Sequence, residues 1–276
     1  MLVDGHMHLE YGELSVDYVL EFVNAAVEKG IDKIQILDHT HRFKEFEPIY
    51  ENVRKANKYQ EEWLNNKEFK FHNSLDEYVE LINKVKNIDL PIEVTFGLEV
   101  CYVPEFEFLI KEILKDYQFD FLVGAIHSID GILYDMPWSK DMLWKNYDID
   151  YIYQRYYELL FKCIESDIFS QLAHPDTIKM YNYYPLYDLT NTYFQLAQLC
   201  NIHNITVECN TGCHYRYNHQ DLGLSDELLK ILVSNGTSII TCSDAHHPNH
   251  VGSFIKEANE KVEALVNVKS RGIENL

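Results

Sequence analysis

The sequence has little positive charge. Its 276 residues include 24 Lys and Arg against 44 Asp and Glu, so the formal net charge is −20 at pH 7. Non-specific binding to nucleic acid depends on Lys and Arg that meet phosphates, and a chain this acidic opposes it. The negative charge is spread along the chain and forms no acidic tail. We therefore expect a small-molecule substrate and no nucleic-acid partner.

Long hydrophobic runs are also missing. No stretch of about eighteen apolar residues is present that could cross a membrane. The first ten residues carry Asp4, His6, His8 and Glu10, which a secretory signal peptide would not contain. These observations predict a cytoplasmic protein with no membrane partner.

Cysteine pairs with the spacing of zinc or redox motifs are absent as well. No Cys-x-x-Cys occurs, and four of the six cysteines lie in or beside apolar segments, which is typical of reduced core residues. We expect neither a disulfide framework nor a thiolate zinc site. The cysteines are Cys101, Cys163, Cys200, Cys209, Cys213 and Cys242.

Short β-rich runs alternate with amphipathic helical stretches along the whole chain. Strands separated by helices pair in parallel, so seven such strands predict an α/β fold, a distorted seven-stranded β/α barrel of the TIM type. The length of 276 residues suits one such barrel. The predicted strands are Leu2–Gly5, Lys33–Asp38, Ile92–Val100, Phe119–Ile126, Ser170–Ala173, Ile205–Cys209 and Ser238–Cys242.

Helical stretches occupy the connections. The first has Ser15 or Asp17 as N-cap and stops at Gly30. Residues 43–90 interrupt the alternation of strands and helices with polar helical stretches rich in Glu, Lys and Asn. Because this segment opens and closes inside the repeating pattern, we predict an insertion after the second strand, within one domain spanning 1–276. Later helices are predicted at Glu105–Lys115, Ile149–Ser166, Asp188–Cys200, Ser225–Ser234 and Val251–Val266.

Nitrogen and oxygen ligands follow most of the predicted strands. An x-His-x-His or Asp-x-His on extended backbone places both side chains on one face. In a β/α barrel all C-terminal strand ends open onto the same side, where active sites are built. Glu99 also lies in an apolar run, where an unpaired carboxylate is costly to bury. The candidate ligands are His6, His8, Asp38, His39, Glu99, His127, His174, Asp244 and His246.

This set is larger than one ion needs. Zinc usually takes four ligands, so the pattern predicts two or three divalent ions bridged by a carboxylate and a shared water. Imidazoles and carboxylates without thiolates suit Zn²⁺, Mn²⁺ or Fe²⁺, whereas Mg²⁺ would use fewer imidazoles. Any single His at a strand end could instead be a hydrogen-bonded structural residue. The common placement of all of them is what predicts a metal centre.

These motifs resemble the polymerase and histidinol phosphatase (PHP) superfamily, and within it the histidinol-phosphatase branch. They occur in the family's order and span nearly the whole chain. The resemblance implies a distorted seven-stranded β/α barrel that holds a trinuclear metal centre. The matching segments are DGHMH at 4–8, LDH at 37–39, FGLEV at 96–100, FDFLVGAIHSIDG at 119–131, LAHPD at 172–176, ECNTG at 208–212 and SDAHHPNHVG at 243–252.

The resemblance also implies how the ligands divide. The implied groups are His6, His8, Glu99 and Asp244 for one ion, Glu99 with His127 and His174 for a second, and His39 with His246 for a third. Related members complete the third group with another His shortly after the His-x-His, but residues 9–14 contain none. Matching the downstream helix and Gly30 places Glu13 nearest that role, with Glu10 as the alternative.

Arginine is scarce, and phosphate recognition favours its planar fork. Arg42 follows the second strand and Arg216 follows the sixth, in loops expected to open onto the active-site face. By resemblance, Arg216 matches a basic residue of the family, and Arg155 lies where the histidinol-phosphatase branch can supply a phosphate contact. We predict all three as phosphate-binding residues, and a solvated surface charge is the alternative for each.

The predicted reaction is hydrolysis of a phosphate monoester by a metal-activated hydroxide, with Asp244, His246 and Glu99 as catalytic residues. The resemblance implies L-histidinol phosphate as the substrate, in histidine biosynthesis. The alternatives are another small phosphomonoester, a phosphodiesterase or exonuclease with the same metals, and a barrel that binds without catalysis. A nuclease should line its channel with Lys and Arg, and these loops carry no basic cluster.

Overall fold

The computed structural model describes residues 1–270, and its centre is a seven-stranded parallel sheet. In the described part of the chain, the strands are β1 Val3–Met7, β2 Lys33–His39, β3 Glu93–Cys101, β4 Phe121–Ala125, β5 Ser128–Ile129, β6 Ile132–Leu133, β7 Gln171–Leu172, β8 Thr206–Asn210 and β9 Ile239–Cys242. Seven of them form this sheet, and β5 and β6 form a separate two-stranded pair. The sheet runs in the order β1-β2-β3-β4-β7-β8-β9, with every pair parallel. The predicted seven-stranded parallel α/β architecture is confirmed.

The first and last strands close this sheet into a nearly complete barrel. The His8 N–H donates to the Ala245 carbonyl at 2.8 Å, and the Asp244 N–H donates to the His6 carbonyl at 3.0 Å. Met7 pairs with Ala245 as an isolated parallel bridge, and the pairing of β1 with β2 shifts register inside β1. The barrel is therefore irregular, and the segments near the two ends of the chain are neighbours in space.

Helices fill the connections between the barrel strands. The first begins at Ser15, whose side chain accepts the Tyr18 N–H at 3.2 Å, and it ends just before Gly30, where φ is +69°. Within residues 1–270 the α-helices are α1 Val16–Glu28, α2 Glu51–Ala56, α3 Lys58–Leu64, α4 Leu75–Lys86, α5 Glu107–Leu114, α6 Ile149–Glu165, α7 Thr190–Ile202, α8 Gly212–Tyr217, α9 Asp226–Asn235 and α10 Ile255–Ser270.

The predicted helix starts differ most at the last helix. We predicted a start at Val251, but α10 begins at Ile255. Gly252 and Phe254 have φ of +69° and +59°, and this left-handed backbone cannot belong to an α-helix. Before it, Pro248–His250 forms a short 3₁₀ turn.

The segment 43–90 contains a 3₁₀ helix, Lys44–Tyr50, and the helices α2, α3 and α4. Ser74 opens α4 with a capping box: its hydroxyl accepts the Glu77 N–H at 3.2 Å, while the Glu77 carboxylate accepts the Ser74 N–H at 2.5 Å. The buried residues of this segment, among them Phe46, Leu64 and Tyr78, belong to the same hydrophobic cluster as the barrel core. The helical insertion predicted after the second strand is thus packed onto the barrel.

A hairpin that the sequence analysis missed joins β5 to β6. Asp130 and Gly131 form its turn with φ of +49° and +83°, and Asp-Gly between apolar residues is a strong hairpin signal. Gln60 of α3 donates to the Gly131 carbonyl at 2.8 Å and accepts the Leu133 N–H at 3.0 Å. The hairpin therefore fastens the inserted segment to the chain after β4.

The cysteines agree with the expectation of reduced core residues. All six are buried and unpaired. Over residues 1–270, no helix is long and apolar enough to span a bilayer.

Candidate metal centre

Six barrel strands end in imidazoles or carboxylates that meet in one buried cluster. Asp4 and His6 lie in β1 and His8 directly follows it, so side-chain alternation places the three on one face, and all three are fully buried. Asp4 accepts the N–H and the hydroxyl of Ser243 at 2.8 and 2.5 Å, so it fixes β1 to the segment after β9. The other members are His39 in β2, Glu99 in β3, His127 after β4, His174 after β7, and Asp244 and His246 after β9.

Glu99 lies at the centre of the cluster and is fully buried. One carboxylate oxygen, Oε2, is 3.0 Å from His39 Nε2, 3.4 Å from His6 Nε2 and 3.5 Å from His8 Nε2. The other oxygen, Oε1, faces a second group: it is 3.0 Å from His174 Nε2 and 3.3 Å from His127 Nε2. One carboxylate thus joins two sets of imidazoles, which is the arrangement a bridging ligand requires.

His6 is held by a carboxylate behind it. Its Nδ1 lies 2.8 Å from Glu208 Oε1, while its Nε2 faces Glu99 and lies 2.8 Å from His8 Nε2. Gln171 donates to the same Glu208 oxygen at 2.7 Å. A carboxylate on one ring nitrogen directs the other nitrogen toward a metal and raises its basicity. Glu208 was not among the predicted site residues, although its position between the buried Val207 and Cys209 was a usable signal.

Asp244 connects the cluster to an arginine. Its Oδ1 is 3.4 Å from His8 Nε2, and its Oδ2 accepts Arg216 Nη2 at 2.6 Å. Arg216 Nη1 also lies 3.0 Å from His246 Nδ1. A Cβ at Gly212 would come within 2.9 Å of Arg216 Nη2 and 3.0 Å of Asp244 Oδ2, so glycine leaves room for this pair. The predicted Arg216 is therefore at the cluster, with its side chain 28% exposed.

The structure places Glu10, and not Glu13, in the third group. Glu10 Oε2 is 3.2 Å from His39 Nδ1 and 3.7 Å from His41 Nε2, and Oε1 is 3.3 Å from His246 Nε2. Glu13 is exposed and lies outside the cluster. The preference for Glu13 is corrected here: Glu10 continues the inward alternation of His6 and His8, whereas the chain has turned outward by Glu13.

Arg42 was predicted as a phosphate contact, and the structure contradicts this. Its side chain is only 1% exposed. Nη1 donates to the Leu9 carbonyl at 2.7 Å and to Asp38 Oδ2 at 3.0 Å, Nη2 donates to the Gly12 carbonyl at 2.8 Å, and Nε donates to Asn73 Oδ1 at 2.8 Å. Every arm of the guanidinium is engaged, so Arg42 fixes the loop after β1 and does not face a ligand.

Arg155 is likewise misplaced by the prediction. Its Nε donates to Asp130 Oδ1 at 2.8 Å and its Nη1 to Glu158 Oε2 at 2.9 Å. It lines a separate depression with Tyr102 and Gly131 rather than the cavity over the cluster. The cause is the helical position of Arg155 in α6, which directs its side chain to the hairpin turn.

The electrostatics of the cluster favour charged carboxylates. Burial alone would raise the pKa of Glu99, but the neighbouring His39, His6 and His127 together hold that pKa well below its usual range. The pKa of His39 rises to about 9, since Glu99 and Glu10 outweigh the effect of burial. The pKa of His246 falls to about 4 through burial and the positive charge of Arg216. A cation bound here would take the place of protons on the imidazoles.

These residues fit divalent metal ions. Buried polar atoms are normally hydrogen-bonded, but several nitrogen and oxygen atoms of the cluster have no partner in hydrogen-bond geometry, even where an oppositely charged group is close: His8 Nδ1, Glu10 Oε2, His39 Nδ1, Glu99 Oε2 and His174 Nδ1. Sets of three donor atoms lie within 4.8 Å of one another: His6, His8 and Asp244; His8, His39 and His246; Glu10, His39 and His41; and His39, Glu99 and His127. The imidazole and carboxylate donors suit zinc, manganese or iron.

A cavity of about 200 Å³ lies above the cluster and opens to solvent. Among the lining residues that were not predicted from the sequence are four polar or aromatic ones, His41, Trp63, Lys70 and Asp135. His41 lies two residues after the end of β2, so its position relative to a strand end could have revealed it, whereas Trp63, Lys70 and Asp135 come from segments away from the ends of the barrel strands. One oxygen of Asp135, Oδ1, is buried without a hydrogen-bond partner.

Comparison with known proteins agrees with this geometry. The family model for the PHP domain matches residues 4–212. A protein of Deinococcus radiodurans named "Probable histidinol-phosphatase" is 22% identical over 265 residues, which cover 95% of this chain and 92% of the relative. A protein of Schizosaccharomyces pombe with the same name is 23% identical and covers 91% of this chain and 83% of its own length.

Two solved structures share the fold. The histidinol phosphate phosphatase of Lactococcus lactis, in complex with zinc, L-histidinol and phosphate, aligns with a TM-score of 0.68 and 16% identity over 96% of this chain and 93% of its own. A protein of Listeria monocytogenes, provisionally named a histidinol phosphatase, aligns with a TM-score of 0.75 and 17% identity over 92% and 99%. At these identities the likeness establishes the barrel architecture.

Proposed function

The chain belongs to the PHP domain family, and we propose that it is a metal-dependent phosphomonoesterase that hydrolyses L-histidinol phosphate to L-histidinol and phosphate. The observation that carries the proposal is Glu99, a buried carboxylate whose two oxygens face two separate groups of imidazoles on the floor of a cavity. The names of the relatives and the ligands of the Lactococcus structure support the substrate. The cytoplasmic location and the place in histidine biosynthesis remain predictions.

The cluster would hold two or three divalent ions. The proposed groups are His6, His8, Glu99 and Asp244 for the first, Glu99, His127 and His174 for the second, and Glu10, His39 and His246 for the third. Bound divalent ions supply Lewis-acid chemistry, which activates water and neutralises phosphate charge. Zinc, manganese and iron all suit these donors.

The chain's own residues then position the phosphate. Arg216 uses one terminal nitrogen for Asp244 and the other for His246, which leaves N–H groups on the cavity side for phosphate oxygens. Because Asp244 also lies 3.4 Å from His8, it couples the position of Arg216 to the metal ligands. Glu208 keeps the Nε2 of His6 turned toward the centre.

Asp244 or His246 would take the proton of the attacking water and pass it to the leaving alcohol, because the low pKa of each side chain leaves it without a proton of its own at neutral pH. Both border the cavity, and His246 Nδ1 is 3.5 Å from Asp244 Oδ1. A general acid must lie within hydrogen-bond reach of the leaving oxygen. Both residues satisfy this condition only if the ester oxygen lies on the Arg216 side of Glu99, which the position of the guanidinium favours.

The amino alcohol part of the substrate calls for an anionic partner. Histidinol carries an ammonium group, and Asp135, whose buried Oδ1 has no hydrogen-bond partner, is one of the residues that line the same cavity. Tyr217 and Met180 border the cavity near the loop that contains Asp135 and provide apolar surface. We assign Asp135 to the substrate ammonium.

Phosphate release tests the proposal. Metal-reconstituted protein should hydrolyse histidinol phosphate with a kcat/KM at least about 100-fold above that for sugar phosphates or a dinucleotide diester, and mass spectrometry should find two or three ions per chain. If histidinol phosphate is hydrolysed no faster than the other monoesters, the substrate is wrong. If the diester is preferred, the protein is a phosphodiesterase.

A further inference from the structure

A lysine from the inserted segment reaches the cavity without an anionic partner. Lys70 is 7% exposed and lines the cavity over the metal cluster. Its ammonium lies 3.2 Å from His41 Nε2, 3.3 Å from His41 Nδ1 and 4.2 Å from the centroid of the Trp63 ring. Among residues 1–270, no carboxylate oxygen is within salt-bridge distance of this group.

The contact with His41 leaves the ammonium hydrogens unused. An atom at 3.2–3.3 Å from both ring nitrogens must lie over the face of the ring, because in the plane it would collide with the carbon between them. The nitrogen lone pairs point in the plane, so neither is a good acceptor for Lys70. A cation that rests on two aromatic faces is held in place by them and still has N–H donors free for an anion.

A second buried lysine, Lys179, shows how an ammonium group in this fold is paired when it has acceptors. Lys179 is 4% exposed, and its ammonium lies 2.7 Å from Asp176 Oδ2, 3.0 Å from Asp221 Oδ2 and 2.9 Å from the Gly223 carbonyl. These partners raise the pKa of Lys179 despite burial. Burial instead lowers the pKa of Lys70 to about 8, because Glu10 and Asp38 compensate only in part.

Lys70 and Arg216 lie on opposite sides of Glu10, and each contacts a histidine that is close to one oxygen of Glu10. On one side Glu10 Oε2 is 3.7 Å from His41, on which Lys70 rests. On the other side Glu10 Oε1 is 3.3 Å from His246, which Arg216 contacts at 3.0 Å. Arg216 and Lys70 thus flank the part of the cavity that would receive the phosphate. Lys70 would repel a further metal ion, so its expected ligand is an anion.

We propose that Lys70 is a phosphate-binding residue, presented by the inserted segment on His41 and Trp63, that donates to the substrate phosphate from the side of Glu10 opposite Arg216. The inference rests on the proposed function for the identity of the phosphate ester. It makes the segment 43–90 part of the binding site rather than a covering on the barrel.

Binding of inorganic phosphate to metal-loaded protein tests this inference by calorimetry. Lys70→Met and Lys70→Gln should weaken phosphate binding about 10- to 100-fold, the range for a lost charged hydrogen bond, and Lys70→Arg should recover most of it. The matched control is Lys67→Met in the same segment, since Lys67 is exposed and pairs with Glu47, and it should change binding by less than about twofold. Circular dichroism and metal content establish that each variant is folded and loaded.

Three results would overturn the inference: unchanged phosphate affinity in both neutral variants, equal weakening in the Lys67 control, or weakening that follows a loss of metal. With histidinol phosphate, the neutral variants should raise KM more than they lower kcat. The two proposals fail separately, because inorganic phosphate binding does not require turnover. If wild type binds phosphate through Lys70 but leaves histidinol phosphate intact, the proposed substrate is wrong and the role of Lys70 stands.

Discussion

At the barrel strand ends, charged side chains have close partners: Glu99 lies 3.0 Å from His39 and His174, and Asp244 lies 2.6 Å from Arg216. In the segments outside the barrel, two charged side chains at the cavity wall, Lys70 and Asp135, have no oppositely charged group within salt-bridge distance among the residues that the structure describes. Lys70 rests on aromatic faces, and Asp135 has an unpartnered oxygen. The difference supports a proposed division of roles, in which the strand ends would bind metal and the outer segments would recognise the substrate.

The proposed division of roles between strand ends and outer segments requires that a substitution at a strand end removes metal. Glu99→Gln has the largest expected effect, because it takes away the negative charge that both imidazole groups share. We expect the loss of at least one ion per chain and a fall in kcat/KM on the order of a thousandfold, with the fold retained. Metal analysis by mass spectrometry, phosphate release and circular dichroism measure the three quantities.

Glu93→Gln is the matched control on the same strand. Glu93 is 55% exposed at the opposite end of β3 and pairs with Lys33 at 2.7 Å. This variant should keep its metal and its activity. Full activity with a full complement of metal in Glu99→Gln would remove the proposed bridge.

The second test addresses the link between the two regions. Arg42 joins Asp38 of β2 and the loop after β1 to Asn73 of the inserted segment. Arg42→Met leaves the Asp38 carboxylate buried without its ion pair, which should lower the free energy of unfolding by about 3–5 kcal/mol. Urea unfolding of the wild-type and Arg42→Met proteins at equal metal content measures this loss of free energy.

The control for this test is Arg54→Met. Arg54 lies in α2 and pairs with Glu47, which is 41% exposed, so the expected loss is below about 1 kcal/mol. Equal losses in the two variants would mean that Arg42 stabilises no more than a surface pair. The inserted segment would then be only loosely coupled to the strand ends.

Glu10 and Glu13 form the third comparison, because they lie in the same loop but only Glu10 contacts the cluster. Glu10→Gln should weaken the binding of one ion about 10- to 100-fold and leave the other ions bound. Glu13→Gln should leave the metal content unchanged, because Glu13 is exposed. Titration with a chelator, followed by metal analysis, separates the two. An identical ion count after chelation in both variants would exclude Glu10 from the third group.

The strand ends could be predicted from the sequence because two periodicities act together there. Side-chain alternation in β1 places His6 and His8 on one face, and parallel pairing brings all C-terminal strand ends to one side. This logic located the cluster members from His39 to His246 without any knowledge of loops. The preference for Glu13 came instead from matching the helix and Gly30 that follow, and it is wrong because the chain after Glu10 turns outward, where Arg42 holds the Gly12 carbonyl.

The outer segments could not be predicted in the same way. Lys70 lies 29 residues from its partner His41 along the chain, and that contact depends on how the insertion folds back onto β2. Arg42 and Arg155 were misplaced for a related reason, because an arginine near a strand end or on a connecting helix is free to satisfy a local carboxylate. For such residues the sequence shows only that a charged side chain is present, and the packing of the folded chain decides which way that side chain points.

The smallest expected effect is at Asp135, and it sharpens the division most directly. Asp135→Asn keeps the shape of the side chain and removes the charge assigned to the substrate ammonium, so KM for histidinol phosphate should rise about tenfold. KM for a phosphomonoester of similar size without an amine should stay within about twofold, and metal content should not change. Steady-state kinetics with both esters provide the comparison. If Asp135→Asn instead loses metal, the residue belongs with the strand ends, and equal effects on both esters would show that it does not recognise the ammonium. Only a change confined to the amine-bearing substrate supports substrate recognition by a segment outside the barrel.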